Sequence, residues 1–208
     1  MFDVDGTLVD SAADICGAIR EALAGTPQAG CDEVFLRSYI GRHLIDLFSD
    51  LFPAYTPQQI DDLILTYRQF YPARGHKRTK LYPGVAEGLA ALPGRKSTAT
   101  TKGTPTTRTV LELFGLLPYF DHVQGTDGFP HKPAPDVILK SLDLFGVRPA
   151  DALMIGDSTA DIEAGKRAGV RTCAVSYGYG PREELLALAP DFWIDDLREL
   201  VPASASFA

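Results

Sequence analysis

From about residue 81 onward, short apolar runs alternate with stretches whose apolar residues recur at helical spacing. That alternation predicts βαβ units around a parallel sheet. The expected strands are 97–100, 121–124, 152–155, 171–175 and a short edge at 192–194, with helices between them. Thr104 followed by Pro105 reads as a helix N-cap with proline at the first helical position, and Ser158 with Asp161 fits a capping box. Residues 11–80 differ in kind. Ile15, Ile19 and Leu23, and later Ile60, Leu63, Ile64, Tyr67 and Tyr71, keep helical spacing with no strand between them, and Thr56-Pro57 with Gln59 opens a further helix. The aromatics Tyr67, Phe70 and Tyr71 are expected to be that segment's own core. The fold class is therefore α/β. Residues 1–10 and 81–208 form the sheet-bearing part, residues 11–80 form a helical insert, and 75–80 with Tyr82-Pro83-Gly84 are the return hinge.

Composition narrows the partners. The 208 residues are 45% hydrophobic and 23% charged, as in an ordinary globular protein. A net charge of -7 with scattered Lys and Arg argues against a nucleic-acid backbone as main partner. No apolar run approaches the roughly 18 to 20 residues of a membrane span, and the first residues lack a signal-peptide pattern, so the expectation is a cytoplasmic protein with no membrane partner. Cys16, Cys31 and Cys173 are widely spaced and in no CxxC pair, which reads as reduced thiols. His43, His76, His122 and His131 show no metal-cluster spacing.

The strongest chemical signal is Asp3-Val4-Asp5-Gly6-Thr7-Leu8-Val9-Asp10-Ser11. In a strand, residues two apart point to one side, and Gly6 lets the chain turn sharply over a ligand. Two carboxylates crowded together repel, so the pair implies either a cation between them or a shared proton. Taken alone, the segment could also be a turn whose carboxylates cap the next helix. Asp10, Ser11 and Asp14 read as such a cap for the helix holding Ile15 and Ile19, and stand outside the expected site.

Asp-x-Asp-Gly-Thr-Leu at the end of a first strand resembles motif one of the haloacid dehalogenase superfamily of phosphatases. The resemblance implies a Rossmann-like parallel sheet with helices on both faces and an inserted α-helical cap. It also implies, in chain order, a Ser or Thr at a strand end, a lysine, and a Gly-Asp pair at another strand end. Thr100, Lys132 and Gly156-Asp157 fill those places. Thr100-Thr101-Lys102 departs from the usual Thr-Asn-Lys. Lys132-Pro133-Ala134-Pro135-Asp136 and Gly178-Tyr179-Gly180 are similar to the phosphoglycolate-phosphatase-like branch.

On that resemblance Asp3 is the nucleophile, Asp5 the proton donor and acceptor, Thr100 a phosphoryl ligand, and Lys132 the cation holding Asp3 and the phosphoryl group. The implied Mg²⁺ ligands are the Asp3 carboxylate, the Asp5 main-chain carbonyl and the Asp157 carboxylate. Thr101 and Arg42, in the glycine-bearing Tyr39-Ile40-Gly41-Arg42, are candidate substrate contacts. Asp161 divides evenly between helix cap and function. The implied partner is a small phosphorylated metabolite, phosphoglycolate-like or a sugar phosphate, and monomer and homodimer both stay open. The same residues would serve a phosphosugar mutase, and a non-catalytic phosphometabolite sensor is the reading from another class. A phosphonatase is disfavoured, because residues 11–76 contain no lysine for its Schiff base. Family members carry several apolar residues before the first Asp, whereas Met1 and Phe2 alone precede Asp3. The expectation is that the natural protein extends further, or else that a truncated strand supports its nucleophile poorly.

Overall fold

The computed structural model describes residues 1–201. Its elements run β1 (Val9–Asp10), α1 (Ala12–Leu23), α2 (Glu33–Arg37), α3 (Leu44–Leu51), α4 (Pro57–Ala73), β2 (Lys80–Leu81), α5 (Val85–Ala91), α6 (Thr104–Leu113), α7 (Asp136–Phe145), β3 (Leu153–Gly156), α8 (Thr159–Ala168), β4 (Arg171–Val175), α9 (Arg182–Ala187) and β5 (Phe192–Ile194).

β3, β4 and β5 pair in parallel in that order. The sheet continues beyond β3 through single parallel bridges: Ile155 to Phe2, Phe2 to Thr98, and Ser97 to His122. The expected strands at 97–100 and 121–124 are thus extended segments joined by single bridges. Met1–Asp3 is bonded along both edges, although only two residues precede Asp3. Phe2 N–H donates to Ser97 O (2.9 Å) and Asp3 N–H to Ile155 O (2.9 Å), while Phe2 O and Met1 O accept from Ala99 N–H (2.7 Å) and Ile155 N–H (2.9 Å). The backbone under Asp3 is therefore supported, which removes the alternative of a poorly held nucleophile strand.

Alternation along β3 explains helices on both faces. Ile155 points to a cluster with Phe2, Val4, Val85, Leu89, Val110 and Leu111, and Met154 to the opposite cluster with Ala99, Val137, Ile138, Ala164 and Ala168. A separate cluster joins Ile15, Ile19 and Leu23 of α1 to Ile60, Leu63, Ile64, Tyr67 and Tyr71 of α4. This is the inserted helical cap. Phe70 is 39% exposed and stands outside that cap core. The two crossings between sheet and cap are joined in a short antiparallel ribbon, β1 with β2, that periodicity did not foresee. Asp14 fastens the return crossing by accepting from Arg78 N–H (2.9 Å) and Thr79 Oγ (2.8 Å), rather than closing a capping box. The capping boxes at Thr56/Gln59 and Ser158/Asp161 are both formed. At α6 the N-cap is Gly103, not Thr104, because the Thr104 hydroxyl turns away to Asp127.

Candidate active site

Asp3 leaves the middle of the sheet and Asp157 follows β3 directly, so both carboxylates sit at the carboxyl edge of neighbouring strands, where open α/β sheets form their crevice. Asp161 comes up from the first turn of α8. Ligand oxygens of Asp3, Asp157 and Asp161, all buried, lie within 4.8 Å of one another. Lys132 enters this group with a fully buried side chain. Its Nζ is 2.9 Å from Asp3 Oδ1, donates to Ala99 O at 2.8 Å, and also bonds Asp161 Oδ1.

The surroundings are cut to fit. Asp157 accepts from Thr7 Oγ (2.9 Å) and from Tyr179 N–H (2.8 Å). Gly6, at φ +90°, and Gly178 press on the same carboxylate, since a Cβ at either position would come within 2.2 Å of an Asp157 side-chain atom. Asp161 Oδ2 accepts from Ser158 N–H (2.9 Å) and Ser158 Oγ (2.7 Å) while Oδ1 meets Lys132, so one residue both caps α8 and braces the buried lysine.

Charge says what the group could hold. Three carboxylates against one ammonium leave two negative charges in a buried space, a balance that one divalent cation would close. Without it, burial pushes the Asp3 carboxyl up to about 7, with Lys132 opposing and the Asp161 and Asp5 charges adding to the rise. Burial, and then the Asp161 and Asp3 charges, hold Asp157 well above the usual carboxylate range. Burial alone would lower Lys132, but Asp161 and Asp3 outweigh it and raise its pKa, so it stays an ammonium. The all-oxygen donor set suits a hard ion such as Mg²⁺. Asp3 Oδ1 has the Lys132 ammonium at 2.9 Å as its one neighbouring donor, so the carboxylate keeps lone pairs for such a ligand.

Asp5 does not join that carboxylate group. Its Oδ2 lies 3.0 Å from Lys102 Nζ, and its Oδ1 accepts from Ser11 Oγ at 2.6 Å. Asp5, Thr101, Lys102 and Arg42 all line one cavity of about 510 Å³ between sheet and cap, within the size range of small-ligand sites. Arg42 is exposed and its guanidinium lies 5.2 Å from the Tyr39 ring, with no hydrogen bond to the acidic residues. Thr100 is buried beside Ala99, and its Oγ accepts from Lys102 N–H at 3.3 Å.

Three members of the site were missed in the sequence. Ser11 sits at the N-cap of α1, but its hydroxyl serves Asp5 instead of the helix. Tyr179 takes over part of that capping: its hydroxyl accepts from Ser11 N–H (2.7 Å) and Ala12 N–H (3.0 Å) and donates to Asp10 Oδ1 (2.8 Å). Lys102 had no role assigned beyond its place in the motif. The histidines, though no metal cluster, include a cross-cleft pair, with the rings of His43 and His131 stacked at 4.2 Å.

A family model for haloacid dehalogenase-like hydrolases matches residues 1–175. A phosphoglycolate phosphatase of Vibrio vulnificus is 35% identical, over 96% of this chain and 92% of that protein. The pyrophosphatase PpaX of Bacillus cereus is 34% identical, over 97% and 94%. Among solved structures, a haloacid dehalogenase-like family protein of Streptococcus pneumoniae superposes with a TM-score of 0.86 at 27% identity, covering 97% of this chain and 95% of that one. With the strand-end carboxylates, the buried lysine and the inserted cap in one arrangement, the chain belongs to the haloacid dehalogenase-like hydrolase family.

Proposed function

We propose that the protein is a Mg²⁺-dependent phosphatase that hydrolyses a small phosphomonoester through a phosphoryl group carried on Asp3. The chain is a phosphoric monoester hydrolase, as the family and the phosphoglycolate phosphatases among its relatives indicate; the metal, the intermediate and the individual roles are this reading. The observation that carries it is Asp3 itself, a buried carboxylate at a strand end with Lys132 Nζ at 2.9 Å and two further carboxylates beside it. Treating 11–80 as one cap unit is supported by its separate apolar cluster and by the β1–β2 ribbon at its two crossings.

In this mechanism an Asp3 carboxylate oxygen attacks phosphorus in line, the bond to the leaving oxygen breaks, and Asp5 supplies that oxygen with its proton. Water then attacks phosphorus and gives a proton to Asp5. The bond to Asp3 breaks and inorganic phosphate departs. Lys132 fixes Asp3 and offsets phosphoryl charge, and the Thr100 hydroxyl donates to a phosphoryl oxygen. Asp3, the Asp5 carbonyl and Asp157 would hold Mg²⁺, which when bound supplies charge stabilisation to the phosphoryl group. Asp161 braces Lys132, and Thr101 and Arg42 meet the remainder of the substrate in the cavity.

A phosphoglycolate-like or sugar-phosphate ester fits a cavity of about 510 Å³ with Arg42 on its wall. The test is phosphate release from a panel of phosphomonoesters, 2-phosphoglycolate included, by wild type and Asp3→Asn, with Mg²⁺ and with chelator. The expected result is turnover by wild type with Mg²⁺ and a loss of at least about 10³-fold in the variant. Release from no ester, or an unimpaired variant, refutes the reading.

A further inference from the structure

Lys102 is 8% exposed at its side chain and makes contacts on both sides of the cleft. On the sheet side its Nζ lies 3.0 Å from Asp5 Oδ2. On the cap side the same Nζ donates to the Tyr71 hydroxyl at 2.9 Å and sits 4.3 Å from the centre of the Tyr71 ring. Tyr71, near the end of α4, is held in turn by the parallel ring of Tyr67 (5.4 Å) and the edge of His76 (5.2 Å). A continuous chain of contacts therefore runs from the cap core through Tyr71 and Lys102 to Asp5, whose other oxygen is fixed by Ser11 Oγ at 2.6 Å.

Both donors on Asp5 are of the kind that hold an anionic carboxylate. That is the form in which Asp5 accepts a proton from water. We infer that Lys102, seated by Tyr71 of the cap, is the positioning residue that holds Asp5 as proton acceptor for hydrolysis of the Asp3 phosphoryl intermediate. In that step the water oxygen bonds to phosphorus, the water proton passes to an Asp5 oxygen, and the phosphorus–Asp3 bond breaks to release phosphate and the free carboxylate. Lys102 gives and receives no proton. It fixes where the receiving oxygen lies, and Tyr71 ties that position to a seated cap.

This inference rests on the phosphatase reading, and the experiment separates the two. Wild-type turnover and its loss in Asp3→Asn are established first; absence of turnover overturns both. With p-nitrophenyl phosphate as probe, kcat for Lys102→Met is expected to fall about 10²-fold, the scale for a misplaced reacting group. kcat/KM, which reports steps up to nitrophenol departure, is expected to change by less than about 10-fold. Rapid mixing should show a burst of nitrophenol equal to the enzyme present, as the phosphoryl intermediate accumulates. Lys102→Arg, which keeps a cation beside Asp5, should recover part of kcat and reduce the burst.

Tyr71→Phe keeps the ring and removes only the hydroxyl, so kcat should fall by about 5-fold, one hydrogen bond's worth. It should have no further effect in the Lys102→Met background. A loss in kcat/KM as large as in kcat, with no burst, makes Lys102 a residue of the first step and overturns the inference. A raised KM at unchanged kcat makes it a substrate contact and does the same. Additive effects of the two substitutions remove Tyr71 from the chain of action.

Discussion

Lys132→Met should destabilise the metal-free protein severely, and its size follows from the burial of this one ammonium. The Lys132 side chain is 0% exposed and lies between Asp3 and Asp161, whose side chains are 2% and 0% exposed. Methionine matches its length but removes the ammonium that opposes the rise of the Asp3 carboxyl and pairs with Asp161. Removing one partner of a buried ion pair costs about 3–5 kcal/mol. For a chain of this size each kcal/mol moves Tm by about 2–4 °C, so a fall of roughly 6–20 °C is expected. The assay is thermal unfolding followed by circular dichroism on chelator-treated protein. Asp161→Asn added to Lys132→Met should recover part of the loss, because it removes one of the stranded charges. A Lys132→Met Tm within about 2 °C of wild type would mean that the ion pairs of Lys132 with Asp3 and Asp161 add nothing to the fold, and the charge argument for the site would fail.

Metal binding and pH should be linked. The Asp3 carboxyl, at about 7 in the folded metal-free protein against an ordinary 3.8, binds more protons folded than unfolded between those values. Metal-free stability therefore falls as pH rises through that window, and the Tm gain from Mg²⁺ should be larger at pH 8 than at pH 5; an equal gain at both contradicts the linkage. Gly178→Ala places a Cβ 2.2 Å from Asp157 Cβ and dislodges the Tyr179 N–H donor, so the Mg²⁺ concentration for half-maximal activity should rise about 10-fold or more. A metal titration checks it. Arg42→Ala should raise KM by up to about 10-fold with kcat little changed, since an exposed arginine at the cavity wall contributes binding alone; initial rates that show an equal fall in kcat count against that role.

Asp3, Asp5, Lys132 and Asp157 could be picked out from sequence because each stands in a short contiguous pattern whose local geometry is fixed, a strand tip followed by a glycine or a proline-flanked loop. The alternating apolar runs likewise announced β3, β4 and β5 within a residue or so. Other features were less direct. The segments at 1–3 and 97–99, expected as strands, are extended chain held by single bridges on each side, so their pairing depends on neighbours and not on their own length. Hydroxyls were assigned by proximity in sequence, which held for Thr56 and Ser158 and misplaced two others. Ser11 and Thr104 have local backbone donors to cap, yet each turns to a carboxylate supplied by another loop, Asp5 and Asp127. Tyr71 looked like cap core and is, but its hydroxyl reaches a lysine 31 residues onward. Periodicity reports which face of a helix is buried, and it is silent on what the polar tip of a buried tyrosine finds there.

The placement of these groups divides the site's dependence on the cap. Asp3, Asp157 and Asp161 are braced by residues of the sheet and its loops: Lys132, Thr7, Ser158 and the Tyr179 backbone. Asp5 is braced by Lys102, which the cap residue Tyr71 holds, and by Ser11, the N-cap residue of the first cap helix. The carboxylates suited to a cation are therefore held mainly by the sheet and its loops, with Tyr179 also bonded to the start of α1, whereas Asp5 takes its position more directly from the cap.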